Sequence, residues 1–157
     1  MDELDRTIVR ALQQDGRLPF TEIARQTGGS ETTIRTRYQK LVRQGIVRTV
    51  AFVEPQALNY EAAAILAVSV EPGMAGRIAR TIARVPEVSH LVRTLGTYDL
   101  ILEIHCQDLS HLSDVITGQI HGISGVRATE TFMVAERYKR PREWYPYLDG
   151  GTDNGAV

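Results

Sequence analysis

The spacing of apolar residues changes character at Glu54-Pro55, and that change constrains the fold more than any other feature. Before it, apolar side chains recur every three to four positions, which predicts amphipathic helices. After it come alternating runs broken by two helical stretches, which predicts a mixed unit. A chain of 157 residues accommodates one medium domain or two small ones. The division expected is a domain over 1–52, a linker over 53–61, a second domain over 62–138 and a tail over 139–157.

In the first segment, Leu4, Ile8, Val9 and Leu12 predict a helix capped or charged at its start by Asp2 or Asp5. Asp15-Gly16-Arg17 ends it. A second, shorter helix is expected from about Pro19 to Gln26, with Ile23 and Ala24 inward. Gly28-Gly29 makes a tight turn, and Ser30 is a good N-cap for a third helix over Glu31 to Gln44. There Ile34, Tyr38, Leu41 and Val42 form one stripe, which Ile46 extends past a stop at Gly45. The opposite face carries Thr32, Thr33, Arg35, Thr36, Gln39, Lys40 and Arg43. A β-like stretch, Val47 to Phe52, either forms a wing or leads into the next domain.

A short helix, a glycine turn and a longer helix with hydroxyl, amide and guanidinium groups outward is a helix-turn-helix arrangement. Charge agrees with it. Residues 1–50 hold nine Lys/Arg against six Asp/Glu, whereas 51–157 hold nine against thirteen, so a basic front end joins an acidic remainder within a net charge of −1. Arginine can bind guanine through two hydrogen bonds, and threonine can meet a thymine methyl. Thr32, Thr33, Arg35 and Thr36 are the candidates for base edges in duplex DNA. Ser30, Arg37, Lys40 and Arg48 are the candidates for phosphates, with Arg37 alternatively a brace of the fold. A plain three-helix bundle used for protein contacts would show the same faces.

Beyond the linker, Ala62 to Val70 reads as a strand closed by Pro72-Gly73. Met74, Ile78, Ile82 and Val85 read as a helix with Arg77, Arg80 and Arg84 outward, ended by Pro86. Val88 to Thr94 and Leu100 to Cys106 read as a hairpin. Asp108 or Ser110 caps a further helix with Leu112, Val115, Ile116 and Ile120 inward, and Val126 to Val134 reads as a last strand. The order strand, helix, strand, strand, helix, strand is ferredoxin-like, with two helices over one face of a four-stranded antiparallel sheet. The first strand is apolar on both faces, which favours burial of the other sheet face against a second copy. The fold class expected is therefore α+β: a winged helix-turn-helix domain followed by a ferredoxin-like βαββαβ sensing and dimerisation domain.

Read together, these stretches resemble the Lrp/AsnC, or feast/famine, family of transcriptional regulators over about residues 2–140. The resemblance rests on Leu4-Asp5-Arg6 through Ile8, Asp15-Gly16-Arg17-Leu18, Glu22-Ile23-Ala24, Ser30, Arg37 through Leu41 and Gly45-Ile46-Val47. It continues through Pro86-Glu87-Val88, Gly96-Thr97-Tyr98-Asp99 and Gly125-Val126. It implies a DNA reader, a sandwich domain that dimerises and builds tetramers or octamers, and a small effector, commonly an amino acid. The implied effector site is a cleft between dimers near the turn Gly96, Thr97, Tyr98 and Asp99, with the strands near Arg127, Thr129 and Thr131 as candidates for the other wall. Thr97 stands where the family usually has aspartate, which removes a carboxylate available to an effector's ammonium group. The ligand implied is thus an unusual one, or none. A purely structural use of the turn, Gly96 for the hairpin backbone and Asp99 as a cap, is the alternative.

Other chemistry finds less support. One cysteine, Cys106, excludes an intramolecular disulfide and suits a reducing compartment. His105 and Cys106 are strand neighbours facing opposite ways, and His111 and His121 lack the i, i+4 spacing of a zinc pair. No metal site, cofactor or catalytic motif is expected, although sirohaem decarboxylases share this two-domain arrangement. A low-specificity architectural DNA protein would use the same residues. The acidic start, Met1-Asp2-Glu3-Leu4-Asp5, is unlike a signal peptide, and the longest apolar run is half a membrane span. A cytoplasmic, nucleoid-associated protein is expected, with no membrane partner. The tail holds Trp144-Tyr145-Pro146-Tyr147, aromatics suited to packing across a dimer, and Gly150 to Val157 reads as disordered.

Overall fold

A computed structural model describes residues 1–139, and the expectations for the tail beyond them lie outside the described residues. The chain forms two compact units, meeting in sequence at Phe52 and Val53. In the first, α1 spans Glu3–Gln14, α2 Phe20–Thr27 and α3 Glu31–Arg43. Asp2 caps α1 in a reciprocal box: its carboxylate accepts the Asp5 N–H at 2.9 Å, and Asp5 accepts the Asp2 N–H at 3.1 Å. Gly28 closes α2 at φ 66°, a left-handed conformation that needs no Cβ. The Ser30 hydroxyl accepts the Thr33 N–H at 3.1 Å and starts α3. Ile8, Ala11, Ile23, Ala24, Ile34 and Leu41 form the core of this unit.

Two details differ from the sequence reading. Val42 and Ile46 are 42% and 48% exposed, not parts of a buried stripe. At about 100° per residue, Val42 lies roughly 80° around α3 from Ile34, beyond the reach of the two shorter helices. The stretch Val47 to Phe52 forms no strand, so no wing is present among the described residues. A wing needs two paired strands, and this is one extended run with no hairpin partner beside it.

In the second unit, a 3₁₀ turn over Pro55–Leu58 precedes β1, Ala62–Val70. Then follow α4 (Ala75–Ile82), β2 (Val88–Arg93), β3 (Leu100–Cys106), α5 (Leu109–Asp114) and β4 (Val126–Met133). The antiparallel sheet runs β2-β3-β1-β4, which is the expected ferredoxin-like order. Asp108 caps α5 by accepting the His111 N–H at 2.8 Å. After Asp114 the helix widens over Val115–Ile120, where the His121 N–H reaches back five residues to the Ile116 carbonyl at 2.9 Å.

Alternation decides which sheet face is covered. Leu66 lies opposite Leu102, and Val68 opposite Leu100. These join Ile78 and Ile82 of α4 and Leu112, Val115 and Ile120 beneath the helices. Among the described residues the other face bears no helix. It presents Ile65, Val92 and Phe132, which are 39%, 38% and 48% exposed. Set among these is a polar trio: Glu103 meets His105 at 2.9 Å and pairs with Arg137.

Cys106 is buried under the helices, and desolvation, with the nearby carboxylates of Glu87 and Asp108, pushes its thiol up to about 11. His111 is tied to Glu87 at 3.2 Å and His121 to Thr129 at 2.5 Å. Among the described residues no three His, Cys, Asp or Glu side chains gather as a metal site, and no helix is long and apolar enough to cross a membrane.

Candidate nucleic-acid interface and ligand turn

The exposed face of α3 is set by the burial of Ile34 and Leu41. Those two anchors leave Thr32, Thr33, Arg35, Thr36, Gln39, Lys40 and Arg43 in solvent, with Arg48 exposed just beyond the helix. Not all of these groups are equally available. The Thr33 hydroxyl is shared with Ser30 at 2.9 Å. Arg35 pairs with Glu31 one turn back, and its guanidinium lies 5.3 Å from the centroid of the Phe20 ring. Phe20 in turn packs on Tyr38 with ring centres 5.1 Å apart. Arg35 thereby bridges Glu31 on its own helix and Phe20 at the start of α2.

Arg37 has a different place. It is bonded to Asp2 and reaches Asp5 at 3.3 Å, so it ties the start of α1 to α3. The Asp5 N–H, with Arg37, lowers the Asp2 carboxyl below its ordinary range, and Asp2 raises the Arg37 guanidinium in return. Of the two roles read for Arg37, the geometry provides the brace. Gln39 and Arg43 share the solvent face and were absent from the candidate set. Their signal was present in the polar stripe itself.

The turn at Gly96–Asp99 is firmly held. The Thr94 hydroxyl donates to the Tyr98 carbonyl at 2.6 Å, and the Thr94 N–H to the Asp99 carbonyl at 2.9 Å. The Asp99 carboxylate accepts the Val70 N–H at 2.9 Å, fastening the turn to the end of β1. The Tyr98 hydroxyl donates to Glu130 on β4, and this hydrogen bond, with desolvation, pushes the phenol's ionisation up. Gly96 and Thr97 are exposed.

The residues named for the other wall do not sit together with this turn. Thr129 and Thr131 lie opposite Val68 and Leu66, on the helix-covered side of the sheet. There Thr129 meets His121, and Thr131 lines a groove with Leu112, Ile116 and Met133. Glu130 lies opposite Ala67, on the open side where Tyr98 reaches it. Arg127 is exposed near the irregularity in β4 pairing beside Ser69 and Val70. Glu130 carries no local signal for its place, because the pairing of β4 with β1 decides which β4 residues face the open side.

Comparison with known proteins agrees with both halves. Residues 1–42 match the AsnC-type helix-turn-helix domain, and residues 63–144 match the Lrp/AsnC ligand binding domain. The HTH-type transcriptional regulator FL11 of Pyrococcus horikoshii is 33% identical over 144 residues, 91% of this chain and 95% of that one. The structure of Escherichia coli AsnC superposes with a TM-score of 0.81 at 26% identity, covering 89% of this chain and 95% of AsnC. A transcriptional regulator of Neisseria meningitidis, solved as its L-Met complex, gives a TM-score of 0.79 at 25% identity over 89% of this chain and 93% of that one. An α3 with its polar face outward, a ferredoxin-like second unit and matches across both place the chain in the Lrp/AsnC family of helix-turn-helix transcriptional regulators.

Proposed function

We propose that this regulator reads specific duplex sequences with α3, and that a small ligand, an amino acid, bound beside the Gly96–Asp99 turn alters its association and hence its DNA binding. The observation that carries the reading is the solvent face of α3, where Arg35 stands exposed among exposed threonines. Thr32, Thr33, Arg35 and Thr36 read base edges, while Ser30, Lys40 and Arg48 hold phosphates. Arg37 acts indirectly by fixing α3 to α1. For the ligand, support comes from the Neisseria relative solved with L-Met, and from Tyr98 and Glu130 meeting beside the turn. The proposed assembly is a homodimer through the open sheet face, built up to tetramers or octamers, acting in the cytoplasm at the nucleoid. The reading assigns the chain no reaction.

The test is selection of a preferred duplex, followed by titration with the twenty amino acids. Replacing Arg35 by Ala should cost about 1–3 kcal/mol on the selected duplex and relax preference at one base pair. Equal losses on selected and random duplexes would make Arg35 a phosphate contact. A wild type with no sequence preference at fixed salt would instead indicate an architectural DNA protein. Absence of heat and of any change in oligomer size with all twenty amino acids would remove the ligand half.

A further inference from the structure

The second unit is acidic overall, with ten Asp/Glu against six Arg across 53–138. One part of it departs from that balance. Residues 75–84 hold Arg77, Arg80 and Arg84 and no acid. Ala75, Ile78 and Ile82 bury one side of α4, which leaves Arg77 and Arg80 on the other, and Arg84 is exposed in the turn just past its end. Arg77 donates to the Ser124 carbonyl at 2.8 Å. Arg80 and Arg84 have no carboxylate within ion-pair distance among the described residues, whereas Arg25 is paired with Glu22 and Arg137 with Glu103. Arg93 adds to the patch. It lies on β2, the edge strand against which α4 packs, and its partner Leu100 belongs to the helix-covered face.

We infer that the arginine face of α4 is a second DNA contact, binding the phosphates of duplex beyond the segment read by α3. Resting on the reading of α3 as the DNA reader, this extends the interface to a surface that carries no base recognition. The chemistry fits phosphate. A guanidinium presents a fork of donors that matches phosphate oxygens. Arg80 near the end of α4 and Arg84 in the turn that follows are four residues apart, about 6 Å at a helical rise. Phosphates on one DNA strand recur about every 3.4 Å of axial rise, so each arginine reaches its own phosphate. An acidic unit repels duplex over most of its surface, and this helix is where approach is favoured.

The experiment measures the salt dependence of DNA affinity for the full chain on two duplexes. One holds only the segment read by α3, and the other extends it on both sides. Each neutralised phosphate contributes about 0.9 to the slope of log affinity against log salt. The extended duplex should therefore give the steeper slope. Arg80→Gln with Arg84→Gln should reduce that slope by about 1.8 per protomer, leave the short duplex unaffected, and be rescued by lysine at both positions. An unchanged slope for the double variant overturns the inference and leaves the α3 reading standing. If the wild type binds neither duplex, both fall. If the two arginines govern binding to phosphatidylserine vesicles and not the DNA slope, the face serves a lipid surface and the inference is wrong.

Discussion

Asp99 offers a way to separate holding a turn from binding a ligand. Its carboxylate accepts the Val70 N–H at 2.9 Å, at the point where β1 pairing with β4 shifts register. Val70 is buried, so removing the acceptor strands a donor that water does not readily reach. An unsatisfied buried donor costs about 1–3 kcal/mol, so Asp99→Ala should destabilise the second unit by about 2 kcal/mol. For a unit of this size that corresponds to a fall of about 8–16 °C in melting midpoint. Asp99→Asn keeps an oxygen acceptor and loses only the charge assistance, at roughly 0.5–1.5 kcal/mol. Thermal unfolding of the full chain followed by circular dichroism measures both. The paired readout is calorimetry with amino acids: a carboxylate that also meets an ammonium group loses that heat in the Asn variant, although the fold survives. An Ala variant that melts with the wild type would refute the clamp.

The tie between Arg37 and Asp2 makes a pH prediction. The folded carboxyl lies below its unfolded value of 3.8, so its stabilisation is complete above that value and is lost as pH falls through the lower folded one. Arg37→Met should lower the unfolding midpoint of the first unit at neutral pH, with the deficit shrinking in acid; a deficit constant with pH would rule out the ion pair as its cause. Gly125→Ala should destabilise by about 1–3 kcal/mol, because Gly125 has φ 96°, where an L side chain is strained, and a Cβ there would crowd Met74 and stand 3.2 Å from Ile78 Cδ1; a melting curve unchanged from wild type counts against that strain. The Cys106 thiol, raised to about 11 and buried, should react with Ellman's reagent at pH 8 only as fast as the unit opens. Rapid full labelling of the folded chain would contradict its burial.

What could be read from sequence was local. Ser30 and Asp108 announced their helices because a cap is a contact between residues three apart. The bounds of β3 were legible because Leu100, Leu102, Ile104 and Cys106 alternate without exception with less buried neighbours. Contacts made across the chain were harder. Arg37 meets Asp2 over 35 positions, and nothing near either residue distinguishes a brace from a phosphate contact. The partition of Glu130 from Thr129 and Thr131 follows from strand register, which is set by β1 and not by β4 itself. Val47 to Phe52 looked strand-like because β-branched and aromatic residues favour extended backbone, but a wing depends on a second strand.

The polar trio on the open sheet face bears on which partners the proposed interface would accept. Glu103 holds both His105 and Arg137, and its side chain is already only 15% exposed. A covering surface made only of apolar groups would desolvate these charges and return few hydrogen bonds, whereas greasy neighbours such as Phe132 attract cover of any kind. In the proposed dimer the face would work as a lock with a polar ward in an oily keyhole. Adhesion comes from the hydrocarbon, and discrimination comes from the few atoms that a mismatched regulator of the same fold would leave dry. Mixing this chain with such a regulator and weighing the mixed dimers, before and after Glu103→Leu, would show how much of its fidelity lies in that one carboxylate.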